Sequence, residues 1–194
     1  MVKVKLENVR VAFADGLFNA KVPKGGGTAA FSCNFLFPPG HPAEAAVNAG
    51  VVAAAKACKK WKPEQVKGIL TQLKATDRLC IHDGDLKPDY EGFPGNWNVA
   101  ARNKKRPLLM KANKEPLTES DGILYSGCYV NAIIDVWAQD NAFGKRINAT
   151  VAAVQFLRKG DAFGGGTVVI EDDDFGDVSD VGTDESAEEG LFQF

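Results

Sequence analysis

Between Tyr129 and Trp137 the chain alternates so regularly that one face of the segment has to be buried and the other does not. Val130, Ala132, Ile134 and Val136 are all apolar, whereas Tyr129, Asn131, Ile133, Asp135 and Trp137 mix polar, charged and aromatic side chains. A period of two with one apolar phase describes a β-strand covering a core with one face. The strand is expected to start just after Gly122 and run through Trp137, with Tyr129 and Trp137 on its outer side. The same period marks Val2 to Phe13, where a change of phase near Asn8 predicts a bulge, and Phe31 to Phe37, ended by Pro38-Pro39. It returns in Trp97 to Arg102, in the short run Pro107 to Met110, and in Lys145 to Arg158 after a turn over Asn141 to Gly144.

One stretch breaks the pattern. Pro42 to Trp61 is rich in alanine, Pro63 is suited to open a second helix, and Val66, Ile69, Leu70 and Leu73 fall at helical spacing. Residues 78 to 95 read as a long loop punctuated by His82-Asp83-Gly84-Asp85, Pro88-Asp89 and Gly92-Phe93-Pro94-Gly95. Five or so strands with helices between the second and third predict a mainly β chain folded as an OB-type antiparallel barrel; a mixed α+β sandwich is the competing arrangement. A chain of 194 residues has room for one such domain. Its expected extent is residues 1–170, with the helical insertion at about 42–75.

Charge is divided unevenly along the chain. Of the 25 acidic residues, ten fall between Glu171 and Phe194, where there is no lysine or arginine. The preceding 170 residues hold all 23 basic side chains against 15 acids, so a body of +8 carries a tail of −10. A basic surface concentrates polyanions, and a tethered acidic segment competes for it. The tail, 171–194, shows no periodicity and is expected to be disordered. It interleaves apolar side chains with its acids at Asp172-Asp173-Asp174-Phe175 and finishes with Phe192 and Phe194. A solubilising segment has no need of such anchors, whereas a docking peptide does.

No apolar run is long enough to span a membrane, and Met1 is followed by an alternating segment rather than a signal-peptide block. The chain therefore reads as soluble and intracellular. Four scattered cysteines make neither a disulfide framework nor a zinc signature and are expected to be reduced and mostly buried.

Binding of unpaired strands requires cations that track phosphates and flat side chains on which bases stack. From Trp97 to Lys114 there are six cations and no acid, among them Arg102, Lys104, Lys105, Arg106 and Lys111, with Trp97 at the head, in a phase shared with Val99 and Ala101 that suits the core equally. The plainer explanation of this run is a solvated hairpin tip guarding a sheet edge. The outward phase of the 129–137 strand adds Tyr129 and Trp137, and the ends of the last strand add Lys145, Arg146 and Arg158. Nucleotide-binding loops, dinucleotide fingerprints and zinc-protease motifs are missing, and two histidines leave little for acid–base chemistry. No cofactor and no resident metal are expected. The alternative is a metal-dependent nuclease using Asp83, Asp85 and Asp89, because hard cations favour carboxylate oxygens.

The loop Asp83-Gly84-Asp85, the basic strand pair ending Arg106-Pro107, the strand Gly127-Cys128-Tyr129-Val130-Asn131 and the acidic tail ending in Phe194 occur in an order that resembles one family over essentially the whole chain. It is the family of phage-encoded single-stranded DNA-binding proteins with an OB fold and an acidic C-terminal tail, formerly a domain of unknown function. The resemblance implies a non-enzymatic protein of phage replication or recombination that coats single-stranded DNA in the cytoplasm of the infected bacterium. It implies a tail that meets replication or recombination proteins and shields the DNA-binding cleft, so that duplex DNA could bind once the tail is removed. A homodimer is left open. Bacterial single-stranded DNA-binding proteins end in an acidic-proline-phenylalanine motif that this chain lacks.

Overall fold

The computed structural model describes residues 1–23 and 26–164; the expected tail and its candidate residues Asp172, Asp173, Asp174, Phe175, Phe192 and Phe194 lie outside them. Seven strands, β1 (Val2–Ala12), β2 (Phe31–Phe37), β3 (Ile81–Asp83), β4 (Trp97–Asn103), β5 (Leu108–Met110), β6 (Tyr129–Asn141) and β7 (Gly144–Arg158), are joined by α1 (Pro42–Lys56) and α2 (Val66–Ala75). They form one sheet in the order β3-β4-β2-β1-β6-β7-β5, and an additional β4–β7 pairing closes it.

Five strands make the closed ring. β1–β2, β2–β4, β1–β6 and β6–β7 are antiparallel, while the seam is parallel and rests on Ala101 opposite Ala149. This is the OB arrangement, mostly β with few helices; within the five-strand ring only the closing seam is parallel, and outside the ring β5 also runs parallel to β7. β3 continues the edge of β4 below the seam through Ile81 to Asp83, and β5 continues β7 above it through Leu108 to Met110.

The inward phases meet as the alternation requires. Val4, Leu6, Val9 and Val11 of β1 are buried with Cys33, Phe35 and Phe37 of β2, Val99 and Ala101 of β4, Val130, Ala132, Ile134 and Val136 of β6, and Ile147, Ala149, Val151 and Val154 of β7. The three-residue step from Leu6 to Val9 stays inward because the register shifts there and Asn8 takes a left-handed backbone. That bulge lets both flanking residues face the core.

α1 opens with Pro42 at its first turn, and His41 Nδ1 accepts the Ala43 N–H at 3.1 Å. Its small residues allow a close approach: a Cβ on Gly50 would stand 2.5 Å from a Val4 methyl. After α1, the buried Trp61 donates its Nε1 to Asp140 at 2.8 Å and so ties the insertion to the far end of β6.

β6 begins at Tyr129, not near Gly122 as the sequence suggested. Residues 122–128 instead form the seat for the chain leaving β7. Tyr125 OH accepts the Gly160 N–H at 3.1 Å and donates to the Gly160 carbonyl at 2.8 Å, and Phe163 N donates to Ser126 at 2.9 Å. Gly127, at φ 111, has no room for a side chain, since a Cβ would meet the Asp161 carbonyl at 2.0 Å. Arg10 fastens the strap, donating to the carbonyls of Gly127 and Asp161 with its guanidinium carbon 4.2 Å from the centre of the Phe163 ring. Phe163 completes a small cluster with Ala12, Leu36 and Phe93.

All four cysteines are free; Cys33, Cys80 and Cys128 are buried and Cys58 is half-buried. Burial pushes the Cys33 and Cys128 thiols up, and that of Cys80 up to about 12.

Candidate nucleic-acid interface

The outward phases of four strands converge across the seam. Ser32 and Asn34 of β2, Ala100 and Arg102 of β4, Arg146, Asn148 and Thr150 of β7, and Trp137 and Gln139 of β6 line a cleft of about 740 Å³. The loop from β1 to β2 contributes Lys21, Val22 and Pro23, and the turn after β4 contributes Lys104 and Lys105. At the seam the lining side chains are small, with Ala100 and Ala101 of β4 beside Ala149 of β7.

Hydrogen bonds hold the lining in place. Trp137 Nε1 donates to Thr150 Oγ1 at 3.1 Å, which sets the indole against β7. Asn34 Nδ2 donates to Oδ1 of the fully buried Asn98 at 3.0 Å, and Asn98 Nδ2 reaches the His82 carbonyl at 3.3 Å. Asn103 Oδ1 accepts the Lys105 N–H at 2.9 Å while its Nδ2 donates across the seam to Val151 at 2.7 Å, fixing the turn that presents Lys104 and Lys105. The cations of the cleft are Lys21, which is ion-paired with Asp15 just outside it, Arg102, Lys104, Lys105 and Arg146, and among the described residues that line it there is no carboxylate. Electrostatically this is a polyanion site with one aromatic surface in it.

The structure thus brings together Arg102, Lys104, Lys105, Trp137 and Arg146 of the candidates named from sequence. Arg106 lies just outside, its guanidinium 5.3 Å over the Phe31 ring, and Lys145 stands at the β6–β7 turn, 3.7 Å from Asp140. Four candidates go elsewhere. Trp97 occupies the core phase of β4, its indole N–H buried without a partner. Lys111 is ion-paired with Asp121 at 2.6 Å, and the contact raises the lysine's pKa and holds the Asp121 carboxyl down at about 2. Tyr129 and Arg158 pair at the opposite end of the β6–β7 ribbon, the guanidinium 3.4 Å over the ring and also donating to Asn8 at 3.1 Å. Eight residues of strand separate Tyr129 from Trp137, roughly 26 Å.

Sequence reasoning missed Lys21, Ser32, Asn34, Asn148 and Thr150. The signal was present in the outward phases of β2 and β7, which are small and polar next to the seam instead of charged like an ordinary solvated face. The aspartate loop does turn chemistry. Asp83 Oδ1 accepts the Asp85 N–H at 3.0 Å and Asp85 Oδ1 accepts the Gly95 N–H at 2.7 Å. Among the described residues no group of three potential metal ligands converges there or elsewhere.

A five-strand barrel closed by a parallel seam, with a basic cleft over that seam flanked by the β1–β2 loop, defines a protein of the OB class whose ligand face carries positive charge. The model of the family described as Enterobacter phage Enc34, ssDNA-binding protein, matches residues 2–188, and the chain belongs to that family. It is 39% identical over 181 residues, 92% of this chain and 95% of the other, to protein p50 of Acyrthosiphon pisum secondary endosymbiont phage 1. Among solved structures it resembles the single-stranded DNA-binding protein of bacteriophage Enc34 in complex with ssDNA, with a TM-score of 0.69 and 26% identity over 84% of this chain and 89% of that one. It shares the fold of gp2.5, a single-stranded DNA-binding protein encoded by bacteriophage T7, with a TM-score of 0.52 and 11% identity over 97% of this chain and 98% of that one.

Proposed function

We propose that this chain is a phage single-stranded DNA-binding protein that coats and protects unpaired strands during replication or recombination, with little sequence preference. The observation that carries the reading is the cleft: five cations, one oriented indole and no carboxylate among its described lining residues. Lys21, Arg102, Lys104, Lys105 and Arg146 contact phosphates, with Arg106 and Lys145 at the margins, and Trp137 stacks on a base. The protein acts by binding, without breaking a bond, in the cytoplasm of the infected bacterium. Residues 1–170 form the binding domain and 171–194 an acidic segment that competes with DNA for the cleft and meets partner proteins through Asp172 to Phe175, Phe192 and Phe194. A chain ending at Ile170 then accepts duplex DNA more readily.

Fluorescence anisotropy of a labelled single-stranded oligonucleotide across a salt series tests this, with the full chain and a chain ending at Ile170. The expected result is tight binding that falls with salt at a slope of roughly −0.7 per phosphate contact. Truncation is expected to tighten binding most at low salt, where screening is weakest. Salt-independent affinity would refute the electrostatic cleft, and unchanged affinity on truncation would refute competition by the tail.

A further inference from the structure

Leu79 and Arg146 line the cleft, and the basic surface continues past them through Arg78. The Arg78 carbonyl accepts the Ile147 N–H at 3.1 Å, and its guanidinium lies over the β6–β7 turn, where a Cβ on Gly144 would meet Nη1 at 2.7 Å. On the other flank of that turn Lys60 Nζ donates to the Asp140 carbonyl at 2.7 Å. The helical insertion is therefore seated directly against the hairpin whose strands build one wall of the cleft. From Lys56 to Arg78 it carries seven basic side chains against Glu64 and Asp77, and Asp77 is engaged with His82.

At the tip of the same turn Phe143 is 84% exposed. The turn does not need it: Asn141 Oδ1 accepts the Phe143 backbone N–H at 3.0 Å, an interaction any residue except proline could make. An aromatic ring held in solvent between two groups of cations suits a partner that is polyanionic and has flat apolar faces. Unpaired nucleic acid has both properties, whereas an acidic protein surface lacks the second and duplex DNA hides it.

We propose that single-stranded DNA leaving the cleft at Arg146 passes over the β6–β7 hairpin, stacks a base on Phe143 and continues along the insertion past Lys59, Lys60 and Lys62. The footprint is then longer than the cleft, and the helical insertion is a second part of the binding surface. This rests on the reading of the cleft as the primary site.

Oligothymidylates from about 4 to about 16 nucleotides, the range of site sizes for one such barrel, separate the two parts. With the full chain, Phe143→Ala is expected to leave the shortest oligomer bound as before and to weaken the longest about tenfold. The double variant Lys59→Gln, Lys62→Gln should reduce the salt slope on the longest oligomer by about 1.4 and leave the slope on the shortest unchanged. All three positions are exposed, so folding is not at stake. Variants that bind every length like the parent protein would overturn the extension, as would a loss equal at all lengths. Failure of the parent protein to bind any oligomer would overturn the cleft reading itself, a distinguishable result.

Discussion

Trp97 and Trp137 carry the same ring to opposite sides of the barrel wall. For Trp137 the direction was legible, because its neighbours in the other phase are four apolar residues that had to face inward. For Trp97 it was not: Ala100 and Ala101 are adjacent alanines, so the alternation of β4 has no strong contrast, and only closure of the barrel decides which phase is covered. Trp137→Ala is expected to weaken single-strand binding by about 1 to 3 kcal/mol with little change in melting temperature. Trp97→Ala is expected to lower stability by about 3 kcal/mol, read by thermal denaturation. Lys111 teaches a similar lesson, since a cation counted in a basic run is claimed by an acid ten residues later. Lys111→Gln should leave the salt slope of DNA binding unchanged. It should also flatten the acid limb of stability. Asp121 titrates at about 2 in the folded chain against a usual 3.8. Its contribution is therefore present above the usual value and lost as pH falls from there through 2.

Elements were legible wherever period and punctuation agreed. β1 with its bulge, β2, β4, β7 and both helices lie where alternation, prolines and alanine content put them, because each has a one-sided environment that its own residues record. The segment 122–128 departs from expectation for a physical reason: its backbone pairs with Val11 and Phe163 and its Tyr125 hydroxyl with Gly160, and no local pattern carries pairing over such separations. β3 is likewise three residues recruited by the open lower edge of β4. At this scale α1 offers a test. Gly50→Leu places a branched side chain where even a Cβ crowds Val4, forcing the helix away from β1. A loss of about 1 to 3 kcal/mol is expected from such overpacking, read as a drop in the thermal midpoint.

Across the whole molecule the charge division could be counted from sequence, but the cleft could not be drawn. Its lining runs from Lys21 to Thr150 and exists only because the seam sets β4 beside β7. What the sequence held was a set of small polar outward phases without the geometry that makes them one surface. The burial of three thiols has a practical consequence for measuring that surface. Cys33 and Cys80 lie beneath the cleft and Cys128 under the strap seat, all with titration pushed upward, whereas Cys58 is half-buried, immediately before Lys59 and Lys60. Thiolate is the reactive form. A disulfide reagent should thus titrate one thiol quickly in the native chain and four in guanidinium. The native chain already carries a single attachment point for a dye, placed by the helical insertion where a passing strand would change its emission.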